Sequence, residues 1–217
     1  MKLYGFWRSS CSWRVRIALA YKGIEHEHRP VHLTQGGGEQ FRDGYREVNP
    51  MRQVPVLEYE EGGVTRRVSQ SMAILELLEE LHPRPPLLPP DPYLRARARQ
   101  LAEIVNSGIQ PFQNLSVQKL IKDELGGDDV AFTRRFIERG LIAFQASAAE
   151  VSGRFSVGDE VSLADVLLAP QLYQARRFGV DLAGLPALTR IEDACMALPA
   201  FQSAHAERQV DAVPAAS

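Results

Sequence analysis

Apolar positions in the first eighty residues change period several times. Lys2 to Phe6 alternates over a strand length. Ser9, Ser10 and Ser12 then offer helix caps, and the rows Trp13/Ile17/Tyr21 and Val15/Ala18/Leu19 predict a largely apolar helix over about 13–22, with Gly23 placed to end it. Residues 27–33 predict a second strand and 39–48 a short helix. Val54 to Tyr59 and Thr65 to Val68 flank Glu61, Gly62 and Gly63, the pattern of a hairpin. Ser71 is expected to cap a helix with Ile74, Leu77, Leu78 and Leu81 inward and Glu76, Glu79 and Glu80 outward. The order βαβα followed by ββα implies a mixed sheet covered by helices.

Residues 83–92, PRPPLLPPDP, hold six prolines in ten positions. Missing donors and fixed φ angles exclude helix and central strand, so this stretch reads as an extended linker between a domain at 1–82 and another at 93–217. The second domain has helical spacing nearly throughout. Leu94/Ala98/Leu101/Val105 mark one helix and Phe132/Phe136/Leu141/Phe144 another. Ser162 to Asp165, SLAD, starts a helix as a capping box does, and the apolar run behind it places that helix at the domain centre with a kink expected at Pro170. Residues 186–198 predict one more helix outside it. The fold class is thus α/β followed by all-α.

A chain of 217 residues, 45% hydrophobic and 24% charged, has the composition of a globular protein able to bury a core without disulfides. Residues 1–82 carry 11 cationic and 11 anionic side chains and the remainder 14 and 16, so neither half offers a basic field and nucleic acid is not an expected partner. Arg8, Arg14, Arg16 and Lys22 interrupt any signal-peptide core, and no apolar run approaches the roughly 20 residues of a membrane span. With only Cys11 and Cys195, a disulfide scaffold is excluded and the cytoplasm is the expected address.

The candidate chemistry lies in three loops of the first domain. Arg8, Ser9, Ser10 and Cys11 stand just before a helix, where unpaired amides and a partial positive charge favour an anion or thiolate. The residue three after Cys11 is Arg14, so there is no CxxC pair, and Cys11 stays open between a monothiol role and a packed small residue. Val54-Pro55 opens a strand; a cis bond there would present the Val54 backbone to an extended peptide, and an edge proline is the plain alternative. Gln70 and Ser71 begin a second anion-friendly helix. His26, His28 and His32 share one strand parity, but without supporting cysteines or carboxylates they read as solvent-facing edge residues, and no metal site is expected. Gly36 to Gly38 reads as a flexible loop beside Gln40.

The blocks SSCSWRVRIAL (9–19), NPMRQVPVLE (49–58), QSMAILE (70–76), GIQPFQNLSV (108–117) and VGDEVSLADVLLAPQ (157–171), with ARRF at 175–178, resemble zeta-class glutathione S-transferases, the maleylacetoacetate isomerases. The resemblance implies a thioredoxin-like N-terminal domain, a helical C-terminal domain, a homodimer and glutathione as cofactor. By the same resemblance Ser9 would hydrogen-bond the glutathione sulfur, with Ser10 and Cys11 beside it. Gln40, Val54, Gln70, Ser71, Gln110, Asn114 and Ser116 would bind the tripeptide, and Arg8 and Arg177 would grip a dicarboxylate substrate. Arg176 adjoins Arg177, so which of the two turns toward substrate is open.

The implied reaction is isomerisation of maleylacetoacetate to fumarylacetoacetate by reversible thiolate addition. Transfer of glutathione to other electrophiles is an implied side activity. Maleylpyruvate isomerisation and a scaffold without turnover are the alternatives.

Overall fold

Alternation at the start of the chain builds the first strand of a four-stranded sheet, with Leu3 and Gly5 on the buried face. A computed structural model describes residues 1–213, and its contacts form two units. Met1–Pro85 groups with the segment from Leu198 onward, and Pro86–Ala197 forms the other. The segment from 198 was expected in the helical domain; it packs instead with the sheet unit, against the helix at Ser10–Tyr21. Residues 214–217 of the expected second domain lie outside the described residues.

The first unit contains β1 (Lys2–Gly5), α1 (Ser10–Tyr21), β2 (Glu27–Pro30), α2 (Asp43–Val48), β3 (Val56–Glu61), β4 (Val64–Ser69) and α3 (Ser71–Leu81), with α9 (Pro199–Ser203) returning from the C-terminal side. The sheet order is β2-β1-β3-β4, with β1 and β2 parallel and the other pairs antiparallel. This is the mixed sheet the element order implies. Gly62 and Gly63, both at positive φ, make the two-residue turn between β3 and β4 that matches strand twist.

Helix α1 starts earlier than its apolar rows suggest, because Ser9 takes the cap position and Ser10 to Ser12 form the first turn. Gly5 lets the helix approach the sheet: a Cβ there would meet the Ser12 side chain at 3.3 Å. The helix is buried nearly all round, Arg14 and Arg16 included.

Helix α3 corrects the expected face. Ile74, Leu75 and Leu78 are buried, Leu81 is exposed, and Glu79 points inward. The cause is Lys22, whose Nζ donates to Glu79 Oε2 at 2.7 Å and to the carbonyls of His82 and Pro85. A buried charge pair of this kind overrides a polar-out pattern. The expected helix over 39–48 is a 3₁₀ turn at Glu39–Phe41 followed by α2, parted by extended Arg42.

The second unit contains α4 (Pro92–Asn106), α5 (Leu115–Lys119), α6 (Asp129–Ala148), α7 (Leu163–Arg177) and α8 (Pro186–Met196). The proline-rich stretch is only partly a linker, since Leu87 and Leu88 are buried and the Leu87 carbonyl accepts from the Leu163 amide. Helix α7 is buried along nearly its whole length and runs on past Pro170. Asp165 holds its start, accepting from the Ser156 amide at 2.7 Å and from both the amide and the hydroxyl of Ser162 at 2.8 Å. The core face of α6 is Thr133/Ile137/Leu141/Phe144; Phe132 and Phe136 sit about a quarter turn away, half-buried against Phe112.

Candidate functional site

Extended backbone at Ser9 (φ −68°, ψ 117°) starts α1, and the Ser9 Oγ accepts from the Ser12 amide at 3.2 Å. That capping bond uses a lone pair and leaves the hydroxyl hydrogen to donate. The amides of Ser10 and Cys11 occupy the first helical turn, where no intrahelical acceptor exists, and no acidic side chain competes for them there. Ser9, Ser10 and Cys11 therefore share one turn whose amides can donate to an anion, and in it Ser10 is buried and the Cys11 side chain half-buried. Arg8 precedes them with its guanidinium 5.3 Å from the centre of the Trp7 ring system.

The turn itself is tightly tied. The Phe6 amide donates to Ser12 Oγ at 3.3 Å, the Ser9 amide to the Phe6 carbonyl at 3.0 Å, and the Trp7 amide to Asp211 Oδ2 at 2.9 Å. Arg16 donates to the carbonyls of Trp7 at 2.8 Å and Ala204 at 3.2 Å. Burial lowers the Arg16 pKa to about 9, with Asp211 pulling the other way, so it is a cation at neutral pH.

Residues 69–71 build the second helix start. Gln70 sits at φ 72°, uncommon for a residue with a side chain, and is exposed at the cap of α3. Ser71, expected to be the cap, is instead the first helical residue; it is 4% exposed and accepts from Arg14 Nη1 at 3.1 Å. The Val54-Pro55 bond is cis, which decides between the two alternatives the sequence leaves open, and strand pairing begins only at Val56.

Gln40 lies in the Glu39–Phe41 turn, 6% exposed, with Nε2 donating to the Leu33 carbonyl at 3.1 Å. Its Oε1 is buried with no hydrogen-bond partner among the described residues. Gly38 (φ 95°) makes room for it: a Cβ there would stand 2.7 Å from both polar atoms of the Gln40 amide.

In the second unit, Gln110 opens a 3₁₀ turn over Gln110–Gln113. Asn114 caps α5, its Oδ1 accepting from the amide of Ser116 at 3.0 Å and the hydroxyl at 2.9 Å. Both terminal nitrogens of Arg176 engage the Glu192 carboxylate. Arg177 donates to Gln174 Oε1 at 2.7 Å. Both arginines are exposed on this unit.

Sequence reasoning overlooked Arg14, Arg16 and Asp211. The two arginines carried a usable signal, since a cation inside a helix apolar on every side must be buried and paired. Asp211 had none, lying between Val210 and Ala212 in a stretch with no periodic pattern. His28 also corrects its expectation, for it is not solvent-facing: its Nε2 lies 3.1 Å from Asp211 Oδ1, and the side chain is 12% exposed.

Comparison with known proteins agrees with this architecture. Residues 8–81 match the glutathione S-transferase N-terminal domain model and residues 137–199 the glutathione S-transferase C-terminal domain model. The chain is 48% identical to the maleylacetoacetate isomerase of Rattus norvegicus over 96% of this chain and 94% of that protein. A crystal structure of maleylacetoacetate isomerase from Anaeromyxobacter dehalogenans 2CP-1, with glutathione bound in its active site, is similar at TM-score 0.90 and 53% identity, covering 98% of this chain and 97% of that one. The holo structure of a maleyl pyruvate isomerase, a bacterial zeta-class glutathione S-transferase, is similar at TM-score 0.92 and 40% identity, covering 98% and 100%. With both domain models matched in order and relatives aligned along nearly the full length, the chain belongs to the zeta-class glutathione S-transferases, the family of the maleylacetoacetate isomerases.

Proposed function

We propose that this protein is a glutathione-dependent cis–trans isomerase that converts maleylacetoacetate to fumarylacetoacetate. The observation that carries the reading is the Ser9 hydroxyl, held by its cap bond to the Ser12 amide and left with a hydrogen to donate at the start of α1. When bound, glutathione supplies a thiolate able to add reversibly to a conjugated double bond. The buried Oε1 of Gln40 fits a peptide ligand, because it needs a donor that no described residue provides.

Magnitudes favour the pairing of helix end and hydroxyl. A thiol of pKa about 8.5 is only a few per cent ionised at neutral pH, and each unit of lowering takes about 1.4 kcal/mol. A helix terminus supplies about 0.3–2 kcal/mol, and a hydrogen bond to a charged group about 1.5–3. Together, Ser9 and the Ser10 and Cys11 amides supply about 2–5 kcal/mol, enough over most of that range to make the thiolate the main form at neutral pH.

Gln40, the Val54 backbone, Gln70 and Ser71 are assigned to the tripeptide, with Ser71 suited to a carboxylate because Arg14 stands behind it. Arg8 is assigned to a substrate carboxylate, which a guanidinium matches in charge and geometry. On the second unit, Gln110, Asn114 and Ser116 are assigned to glutathione and Arg177 to substrate by family resemblance. Arg177 is preferred to Arg176 because Glu192 already engages both terminal nitrogens of Arg176. A homodimer in the cytoplasm completes the reading; no helix among the described residues is long and apolar enough to cross a membrane.

Likeness to a maleyl pyruvate isomerase favours that shorter dicarboxylate as the second reading. The test is the ultraviolet change on isomerisation of each compound with and without glutathione. Faster turnover of maleylacetoacetate that requires glutathione supports the first reading, and preference for maleylpyruvate supports the second. No turnover of either contradicts both.

A further inference from the structure

The loop that presents Ser9 is fastened from the far end of the chain. Trp7, two residues before Ser9, has both main-chain groups hydrogen-bonded, the amide by that far segment and the carbonyl by α1. Its amide donates to Asp211 Oδ2 at 2.9 Å, and its carbonyl accepts from Arg16 Nη2 at 2.8 Å, while the Nε of the same guanidinium donates to the Ala204 carbonyl. Asp211 is itself fixed, since its second carboxylate oxygen lies 3.1 Å from His28 Nε2 on β2. One carboxylate thus joins an edge strand, the C-terminal segment and the turn before α1, across 204 positions of sequence to Trp7.

We infer that Asp211 is a positioning residue for the Ser9 turn: by fixing the Trp7 amide it sets where the Ser9 hydroxyl and the Ser10 and Cys11 amides point. This rests on the reading of that turn as the thiolate site. Asp211 acts through the loop backbone and is not itself a catalytic residue. The charged and titratable groups facing it are His28 from β2 and Arg16 from α1. Burial opposes the carboxylate, and the hydrogen bonds from His28 and the Trp7 amide outweigh it, since a main-chain N–H donates best to an ionised acceptor.

The design predicts a loss graded by acceptor. Asp211→Ala removes both bonds. Asp211→Asn keeps a carbonyl oxygen for the Trp7 amide and an amide that reaches His28. The loop can be read without ligand, by hydrogen exchange of the segment 6–12. In the complex it can be read by the pH at which the bound glutathione thiol ionises.

The expected results for Asp211→Ala are at least tenfold faster exchange at Trp7 to Ser10 in the free protein, a bound thiol titrating about one pH unit higher, and about tenfold lower kcat at saturating glutathione. Asp211→Asn is expected to restore most of each loss. Unchanged exchange and thiol titration in Asp211→Ala, or an Asn variant as impaired as the Ala variant, would overturn the inference.

Should Asp211→Ala fail to fold, the wild-type protein still decides. The Trp7 amide resonance must shift with the titration of the Asp211 carboxyl, and a Trp7 amide indifferent to that titration overturns the proposal. A Ser9→Ala control separates the two claims: if it leaves the bound thiol unchanged, the reading of the turn fails, whereas a shifted thiol there beside a normal Asp211→Ala protein condemns only the role of Asp211.

Discussion

Arg14 and Ser71 stand fifty-seven residues apart and meet at 3.1 Å, the guanidinium donating to the hydroxyl beneath the first turn of α3. Arginine has no acceptor, so the Ser71 oxygen accepts and keeps its own hydrogen for a ligand. The bond also joins α1 to the start of α3, so the two helix N-termini of the first unit share a support.

Replacing Ser71 with alanine removes one charge-supported donor and leaves the cap bond between Ser9 and the Ser12 amide in place. The expected result is a fivefold to tenfold rise in the glutathione Kd, about 1–1.4 kcal/mol, with kcat at saturating glutathione within about twofold of wild type. Titration calorimetry and steady-state kinetics check the two halves separately.

Lys22 closes the end of α1 onto Glu79 and the carbonyls of His82 and Pro85, with its side chain fully buried. Lys22→Met leaves Glu79 as a buried carboxylate without its ammonium partner. A loss of about 3–5 kcal/mol is expected from urea unfolding, and a loss under 1 kcal/mol would contradict the buried pair.

Acid should weaken the sheet at one identifiable place. Hydrogen bonds from Lys2 and Arg67 hold the Glu58 carboxyl at about 2, below its ordinary 4.5, against the opposing effect of burial. A depressed carboxylate contributes stability that is present above the ordinary value and is lost as pH falls toward the folded one. Glu58→Gln is therefore expected to be less stable than wild type at pH 7, with the difference shrinking as pH falls from 4.5 toward 2. Denaturant midpoints of the two proteins across that range test it.

The two thiols should differ in access. Burial pushes the Cys195 thiol well above the ordinary range, while Cys11 is half-buried. Iodoacetamide on the native protein is expected to label Cys11 alone, with Cys195 labelled only after denaturation, as peptide mass spectrometry reads.

Much of this is legible in the sequence, and the departures from it share a cause. Strands, the hairpin at Gly62 and Gly63 and the central α7 follow from local periodicity and turn chemistry, which need no distant partner. The Ser9 turn was legible because capping is local too. Glu79, His28 and Ser71 depart from the local pattern because each answers to a group far along the chain: Lys22, Asp211 and Arg14. The same holds for the segment from Leu198, whose short helix carries no mark of the sheet unit it joins.

The central claim is that the Ser9 turn holds a sulfur as its anion. Ultraviolet titration of glutathione bound to the wild-type protein and to Ser9→Ala measures this directly. The account predicts a wild-type complex already mostly thiolate at pH 7 and a Ser9→Ala complex titrating at least one pH unit higher. Equal titration in both, or a wild-type thiol ionising near its free value of about 8.5, would contradict it.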